Sequence, residues 1–202
     1  MKKAIVTGAS QGIGRAIKLR LESEGWEVHN FSLPADVRDY AQCKSFCDFL
    51  GHVDLLVNNA AICKLTPFDQ IEPDEWRETI DINVTGVYNM SRAAVPHLTD
   101  GDIINISSRA AVYAHPNHAA YCASKAAVMS LSEVMSMDLR KDGIRVGYIL
   151  PGVVATRLAG IEPKEWFLQP EDVAEAVMAM VNLPRRASLG RVEIKPSFQP
   201  FK

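Results

Sequence analysis

KAIVTGASQGIG, residues 3–14, decides the fold of this chain. Lys3–Thr7 is a short apolar run of strand length and composition, and the residues from Gly12 to Glu24 have the periodicity of an amphipathic helix. Between them lie Gly8, Gly12 and Gly14. Glycines at a strand-to-helix turn let the backbone reverse sharply and approach a ligand closely. The helix that follows presents unpaired N–H groups and the positive end of its dipole, which is where a phosphate binds. Ser10, Gln11 and Ile13 complete the turn and count with the glycines as candidate ligand contacts. A glycine triplet alone is a weak signal, and packing alone would explain it. Its position after a strand and before a helix favours binding.

The same alternation continues outward. Gly25 stops the first helix, and Trp26–Phe31 reads as a second strand. Arg38–Leu50 reads as a helix and Val53–Val57 as a strand. A helical region runs from Pro73 to Leu98 with a break at Asp81–Asn83, and Asp102–Ile106 is the next strand. A long helix from His118 to Lys141 ends with Arg140 and Lys141 in its last turn and Gly143 beyond, as helix dipole and C-cap require. Ile144–Leu150 is a strand, Pro170 opens a helix with Glu171 and Asp172 in its first turn, and Arg191–Lys195 is a sixth strand. Strands alternating with helices predict an α/β fold, a Rossmann-like doubly wound parallel sheet of six strands covered on both faces. Ligands in such sheets sit outside the carboxyl ends of the strands.

Composition narrows the function. The chain has 202 residues, the length of a single domain over 1–202. Its 22 Lys and Arg nearly balance 24 Asp and Glu, which leaves no electrostatic footprint for nucleic acid or an acidic membrane. The hydrophobic fraction of 48% suffices for a sizeable core, and no apolar run reaches the ~18–20 residues of a membrane span. The N-terminal apolar stretch is interrupted too early for a signal peptide, so the expected location is cytoplasmic. Cys43, Cys47, Cys63 and Cys122 form no metal-ligand spacing and are expected as reduced thiols, with no metal site. Cys43 and Cys47 share one helix face.

Inside the long helix, Tyr121 and Lys125 are four apart and project from one face. A tyrosine ionises near pH 10, too high for efficient proton exchange at neutrality. A neighbouring ammonium favours the phenolate, and lowering the pKa by roughly 2–3 units takes ~3–4 kcal/mol.

The T-G-x-x-x-G-x-G spacing of Thr7–Gly14, joined to Tyr121-x-x-x-Lys125, resembles the short-chain dehydrogenase/reductase family. The family's other motifs follow in order. Ser108 lies 13 positions before Tyr121, in the place of the family's catalytic serine, whose hydroxyl orients the substrate carbonyl. Ser107 reads as a strand-end side chain. Asn83 matches the family's fourth catalytic residue, which helps hold water for a proton relay to the lysine. Asn58-Asn59-Ala60-Ala61 resembles N-N-A-G with alanine for the last glycine, and places Asn58 and Ala60 at the cofactor. Pro151, Gly152, Val154 and Thr156 resemble the P-G-x-x-x-T element that contacts the nicotinamide carboxamide. Tyr121 and Lys125 also contact the cofactor ribose in the family. The resemblance implies an oxidoreductase that interconverts a small-molecule carbonyl and an alcohol by hydride transfer. It also implies homodimers or homotetramers built on the helices around 83–98 and 118–141. The alternative is a non-catalytic NAD(P)-binding or redox-sensing protein, and a cofactor-free scaffold would leave the motifs unexplained.

The chain also departs from the family. Only Ser32-Leu33-Pro34-Ala35 separates Phe31 from Asp36-Val37, where the family has a helix and a strand. A crossover needs a dozen or more residues, so that helix and strand are expected to be deleted. Asp36 and Val37 are then expected still to flank adenine. Between Thr156 and Pro170 only 157–169 remain for a substrate lid, with Trp166 and Phe167 as apolar walls, so an open site or one completed by a second subunit is expected. Ser32 stands where an acid would bind the ribose 2′-hydroxyl of NAD, which favours NADP(H) and leaves NAD(H) open. Gln11 replaces the basic residue of many NADP-using relatives, and Arg38 is a candidate 2′-phosphate partner or a solvated helix-start residue. His115 and His118 are expected at the surface or lining the substrate cleft.

Overall fold

The computed structural model describes residues 1–158, 160 and 162–198. Among these, six strands form one parallel sheet: β1 (Lys3–Thr7), β2 (Glu27–Phe31), β3 (Val53–Asn58), β4 (Leu98–Ile106), β5 (Arg145–Pro151) and β6 (Arg191–Ile194), in the order β2-β1-β3-β4-β5-β6. The order reverses beside β1, and the glycine turn leaves β1 at that point. Six helices cover the sheet: α1 (Gly12–Ser23), α2 (Tyr40–Leu50), α3 (Pro73–Ile80), α4 (Gly86–Ala94), α5 (Ala119–Asp138) and α6 (Pro170–Val181).

Strand side chains alternate between two cores. Ala4, Val6, Leu55, Val57, Ile104 and Ile149 point toward α1 and α6, where they meet Ile17, Leu21, Val173 and Val177. Ile5, Leu56, Ile103 and Val146 point the other way, onto Cys43 and Cys47 of α2 and Met90 of α4. Burying each such branched side chain contributes roughly 1.5–3 kcal/mol, and truncating one to alanine costs about 2–5 kcal/mol. Burial lifts the Cys43 thiol to about 12 and that of Cys47 to about 11, so both are inert packing groups.

The expected break near residue 81 is a π-turn over Asp81–Thr85, in which the Gly86 N–H reaches back to Asp81 O. The long helix closes as α5, a 3₁₀ turn over Arg140–Asp142, and Gly143 in the left-handed region at φ 71°. The strand expected from Asp102 begins earlier, at Leu98. From Ser32 to Asp39 the chain forms neither helix nor strand, and β2 is the sheet's edge. The described part of 157–169 carries no helix. It is held to the end of β5 by a parallel bridge between Val154 and Leu168, and Trp166 packs edge-on against the buried ring of Phe167. Among the described residues no helix is long and apolar enough to cross a membrane, and no cluster of three or more His, Cys, Asp or Glu could hold a metal ion.

Candidate active site

The glycine turn is locked from below by β3. Thr7 Oγ1 accepts from the N–H groups of Asn59 and Ala60 at 2.9 and 3.0 Å, and Asn59 Nδ2 donates to Thr7 O and Gly8 O. Gly8 sits at φ 67°, and a Cβ there would lie 3.0 Å from Ala60 Cα. A Cβ on Gly14 would meet Gly8 O at 2.5 Å, so only glycine lets α1 start this close to β1. Gln11 caps α1 with extended backbone and no side-chain bond, and no acid stands in the first turn. Ser10 and Gln11 are exposed, and Ile13 packs partly into the core. The first N–H groups of α1 are thus uncapped, which suits a pyrophosphate. Thr156 reaches over from the end of β5, its methyl 3.5 Å from where a Gly12 Cβ would be. Gly152 N donates to Ile194 O at 2.7 Å, Pro151 ends β5, and Val154 holds the bridge to Leu168. The glycine turn and the 151–156 segment therefore form two walls at the carboxyl end of the sheet.

Asn58 is placed differently from Ala60. Its amide is buried and donates to Ser91 Oγ of α4 (2.9 Å) and Asn105 Oδ1 of β4 (2.8 Å), and Asn105 in turn donates to Ser132 Oγ of α5. Asn58 is a rung in a polar ladder through the sheet, which leaves its backbone as the part that can face a cofactor. Ser32 Oγ donates to Asn30 Oδ1 at 2.9 Å, and the same oxygen accepts from Ala9 N, so Ser32 is tied to the glycine turn. Asp36 forms a forked pair with Arg38, whose guanidinium holds the Asp36 carboxyl below the usual range. Val37 is buried between Gly86 and the core, and Asn89 Nδ2 clamps the carbonyls of Val37 and Arg38 at 3.0 Å each.

The reactive side chains meet at the end of β4. Ser107 and Ser108 leave the strand in opposite directions. Ser107 is buried and donates to Lys125 O at 2.9 Å, which anchors α5. Ser108 is partly exposed, accepts from Ala110 N, and stands close enough to the Tyr121 phenol to oppose the rise in its pKa. Lys125 is buried and its Nζ donates to Ile106 O at 2.9 Å, 5.6 Å from the centre of the Tyr121 ring. Asn83 is fully buried in the π-turn. Its Oδ1 accepts from Ile62 N, and its Nδ2 donates to Ile62 O and Ser124 Oγ at 2.9 and 3.0 Å. Ser124 Oγ passes the link on to Tyr121 O. Asn83 is therefore a brace between the loop after β3 and the first turn of α5, and its side chain has no N–H left for a water.

The electrostatics differ from the expectation of a lowered phenol. Burial pushes Tyr121 above its ordinary value; the Cys63 thiol adds to this, the Ser108 hydroxyl opposes it, and Cys122 adds a little more. Burial lowers Lys125 from 10.5 to about 8, against a smaller opposing effect of Cys63. Lys125 donates to a backbone carbonyl and not to the phenol, so in the free protein it does not act as the tyrosine's cation. Burial lifts Cys63 itself to about 11.

His118 stands beside this centre, its ring edge-on to Tyr121 at 6.4 Å and its Nδ1 2.7 Å from Pro116 O. His115 is exposed and 5.7 Å further out. The residues that sequence reasoning missed are the braces: Thr7, Asn59, Ser124 and Asn30. Thr7 and Ser124 carried a readable signal, a polar side chain on the buried face of an otherwise apolar element.

A family model for short chain dehydrogenases matches residues 27–165. Oxidoreductase UcpA of Salmonella typhimurium is 34% identical over 187 aligned positions, covering 78% of this chain and 71% of the relative. A 3-oxoacyl-[acyl-carrier-protein] reductase, FabG of Staphylococcus aureus, is 33% identical over 77% of this chain and 75% of its own length. The alignment to D-threitol dehydrogenase of Mycolicibacterium smegmatis, 29% identical, runs over 223 positions, so that relative carries residues with no counterpart among the 202 here. Among solved structures, the closed form of a serine dehydrogenase complexed with NADP+ superposes with a TM-score of 0.89 at 27% identity, over 98% of this chain and 96% of that one. The motifs, the six-stranded sheet and these likenesses agree: the chain is an oxidoreductase of the short-chain dehydrogenase family.

Proposed function

We propose that the protein interconverts a small carbonyl compound and its alcohol, with a nicotinamide dinucleotide as hydride carrier. The observation that carries this reading is the meeting of Ser108, Tyr121 and Lys125 at the carboxyl end of β4, beside the uncapped glycine turn. A pure cofactor binder has no use for a tyrosine beside a serine at the mouth of the cleft. Relatives carry substrates as different as an acyl-carrier thioester and a sugar alcohol in their names, so the family leaves the substrate open.

A dinucleotide fits the residues present. The N–H groups at Gly12–Gly14 would take the pyrophosphate, Ser32 and the Asp36–Val37 segment would lie at the adenosine end, and the 151–156 segment at the nicotinamide end. When bound, the cofactor supplies or accepts the hydride, and its oxidised ring brings a positive charge near Tyr121. The chain's own groups do the rest. Ser108 donates a hydrogen bond to the substrate oxygen, keeping its proton, and orients the carbonyl. Tyr121 holds its proton in the free protein and delivers it from Oη to the nascent alkoxide. Lys125 would meet the ribose hydroxyls of a bound dinucleotide, and its ammonium would stabilise the phenolate that remains. Asn83 is a positioning residue that fixes Ser124 and thereby the first turn of α5.

Ser32 in place of an acid favours NADP(H), and the serine dehydrogenase structure with NADP+ supports this. A 4-hydroxyisoleucine dehydrogenase at 24% identity, solved with NADH, shares the fold. The exposed apolar side chains Tyr88 on α4 and Val134 and Met137 on α5 support a homodimer or homotetramer built on these helices. Its near balance of 22 Lys and Arg against 24 Asp and Glu supports a small-molecule substrate over nucleic acid, and a cytoplasmic location is part of the same proposal. Fluorescence titration with NADPH and NADH, followed by a carbonyl panel with Tyr121→Phe as control, tests the reading. Tight binding of one cofactor with turnover lost in the variant is expected, and equal turnover by Tyr121→Phe refutes it.

A further inference from the structure

We propose that the end of the sheet opposite the active site holds a second binding site, for the phosphate or pyrophosphate group of a small molecule. A cavity of about 250 Å³ opens there, several times the ~30 Å³ share of one water. Arg140, Arg145, Arg185 and Arg186 line it, Ser136 and Ser188 add hydroxyls, and no carboxylate is among its lining residues. Ile144 and Val146 supply an apolar floor. Arg145 is the first residue of β5, whereas the catalytic groups stand at the strands' carboxyl ends, roughly 20 Å of strand away.

Two of the four guanidinium groups are built into the fold. Arg145 Nε and Nη2 fork onto the Asp102 carboxylate at 2.6 and 2.8 Å, while its Nη1 donates to Leu183 O and Ala187 O. Arg185 Nη1 shares the same carboxylate at 2.9 Å, and its Nη2 donates to Gly143 O. These bonds fix both side chains before any ligand arrives, which lowers the ordering cost of binding. Arg140 and Arg186 make no side-chain hydrogen bond or ion pair among the described residues, so their donors are free.

The plain alternative is that the arginines only neutralise what is already there. Charge decides against it. Arg145 and Arg185 are spent on Asp102 and backbone carbonyls, whereas Arg140 and Arg186 have no ion partner among the described residues. These two unpaired guanidinium groups on one lining are the complement of a phosphate dianion. The planar forked donors of Arg140 and Arg186 are also the geometry that phosphate oxygens select.

Isothermal titration with inorganic pyrophosphate at low salt tests the proposal, on the full chain and on Arg140→Gln/Arg186→Gln. The glycine turn also takes phosphates, so the readout is the number of equivalents bound. Both substituted residues are exposed and unpaired, so the variant keeps its fold and its melting temperature without ligand. The wild type is expected to bind one equivalent that the double variant loses or binds at least tenfold more weakly. ADP and glucose 6-phosphate then separate a nucleotide from a sugar phosphate, and tighter binding of either names the source. Equal stoichiometry and affinity in wild type and variant overturns the proposal. A fall in molar mass by light scattering with pyrophosphate binding unchanged also overturns it, assigning the arginines to a contact between copies. Neither outcome touches the oxidoreductase reading, which the cofactor titration tests separately.

Discussion

Replacing Lys125 with methionine should make the protein more stable at neutral pH while removing its activity. The Lys125 side chain is 3% exposed, and its ammonium has one bond to protein, to Ile106 O. Burial lowers its pKa from 10.5 to about 8. Below pH 8 the lysine is protonated both folded and unfolded, and the folded state carries the full penalty, roughly 3 kcal/mol for a drop of that size. Between pH 8 and 10.5 the unfolded chain binds more protons than the folded one, so wild-type stability rises with pH across that window. Methionine keeps the stem's volume and removes the charge, but it leaves the Ile106 carbonyl without a donor, at a cost of about 1–2 kcal/mol. The variant should then be more stable than wild type by about 1–2 kcal/mol at pH 7, or about 2–8 °C in melting temperature for a chain of this size. Above pH 10.5 only the lost bond remains, and the variant should be the less stable by a similar amount. Denaturant unfolding of both proteins at pH 7 and pH 10.5 measures the crossover. A difference that keeps one sign and size at both pH values refutes the account of Lys125 as a strained buried ammonium. The variant should also lose cofactor affinity and turnover together, because the same ammonium is the group that meets the ribose.

Tyr121→Phe should keep cofactor binding and lose about 10²–10⁴-fold in kcat, read by steady-state kinetics against the binding titration. Asn83→Ala removes three buried hydrogen bonds that join Ile62 to Ser124, and should lower stability by about 2–4 kcal/mol in urea melts. Unchanged stability would show that the brace carries no strain between the two elements. Ser32→Asp places a carboxylate beside the glycine turn and should lower the NADPH-to-NADH affinity ratio at least tenfold, by repelling a 2′-phosphate and accepting from a 2′-hydroxyl. Gly14→Val should abolish cofactor binding and destabilise the fold, because its side chain collides with Gly8 O and the Asn59 amide.

The parts of the molecule that the sequence displayed are those governed by short-range rules. Strand and helix positions followed from period and punctuation, and helical spacing put Tyr121 and Lys125 on one face, while the glycine turn upstream gave that common spacing its meaning. What it did not display depends on burial and on partners far apart in the chain. The direction of the Tyr121 shift is the clearest case. Helical spacing brings an ammonium to the same face, but only the fold shows that its Nζ turns to Ile106 O and that burial dominates both groups. Asn83 is similar: a polar residue at a helix break reads equally well as a water holder or a tie, and its partners at Ile62 and Ser124 appear only once three elements meet. The arginine cavity was the least legible. Arg140 belongs to a helix end, Arg145 to a strand start and Arg185–Arg186 to a loop, and no spacing in the sequence links the three. Only the parallel sheet, which brings the starts of its strands and the ends of its helices to one side, gathers them around a single hollow.

The same topology separates the short connection at 32–39 from the candidate active site. That site draws on β1, β3, β4, β5 and α5, and the four strands form the middle of the sheet between the two cores. The connection at 32–39 lies at the β2 edge, where Ser32 ties it to the glycine turn and Val37 with the Asn89 clamp covers α2 and α4. A residue lost from the edge removes contacts on one side only, whereas a residue lost beside β4 would open both cores and separate Ser108 from Tyr121. The consequence is testable: Asn89→Ala, which frees the 32–39 segment from α4, should weaken cofactor affinity at the adenosine end and leave kcat at saturating cofactor within about twofold, since uniform binding is lost and the reacting groups are untouched. A matching fall in kcat would show that the edge and the catalytic centre are coupled through α4, and that the short connection is part of the active site's support.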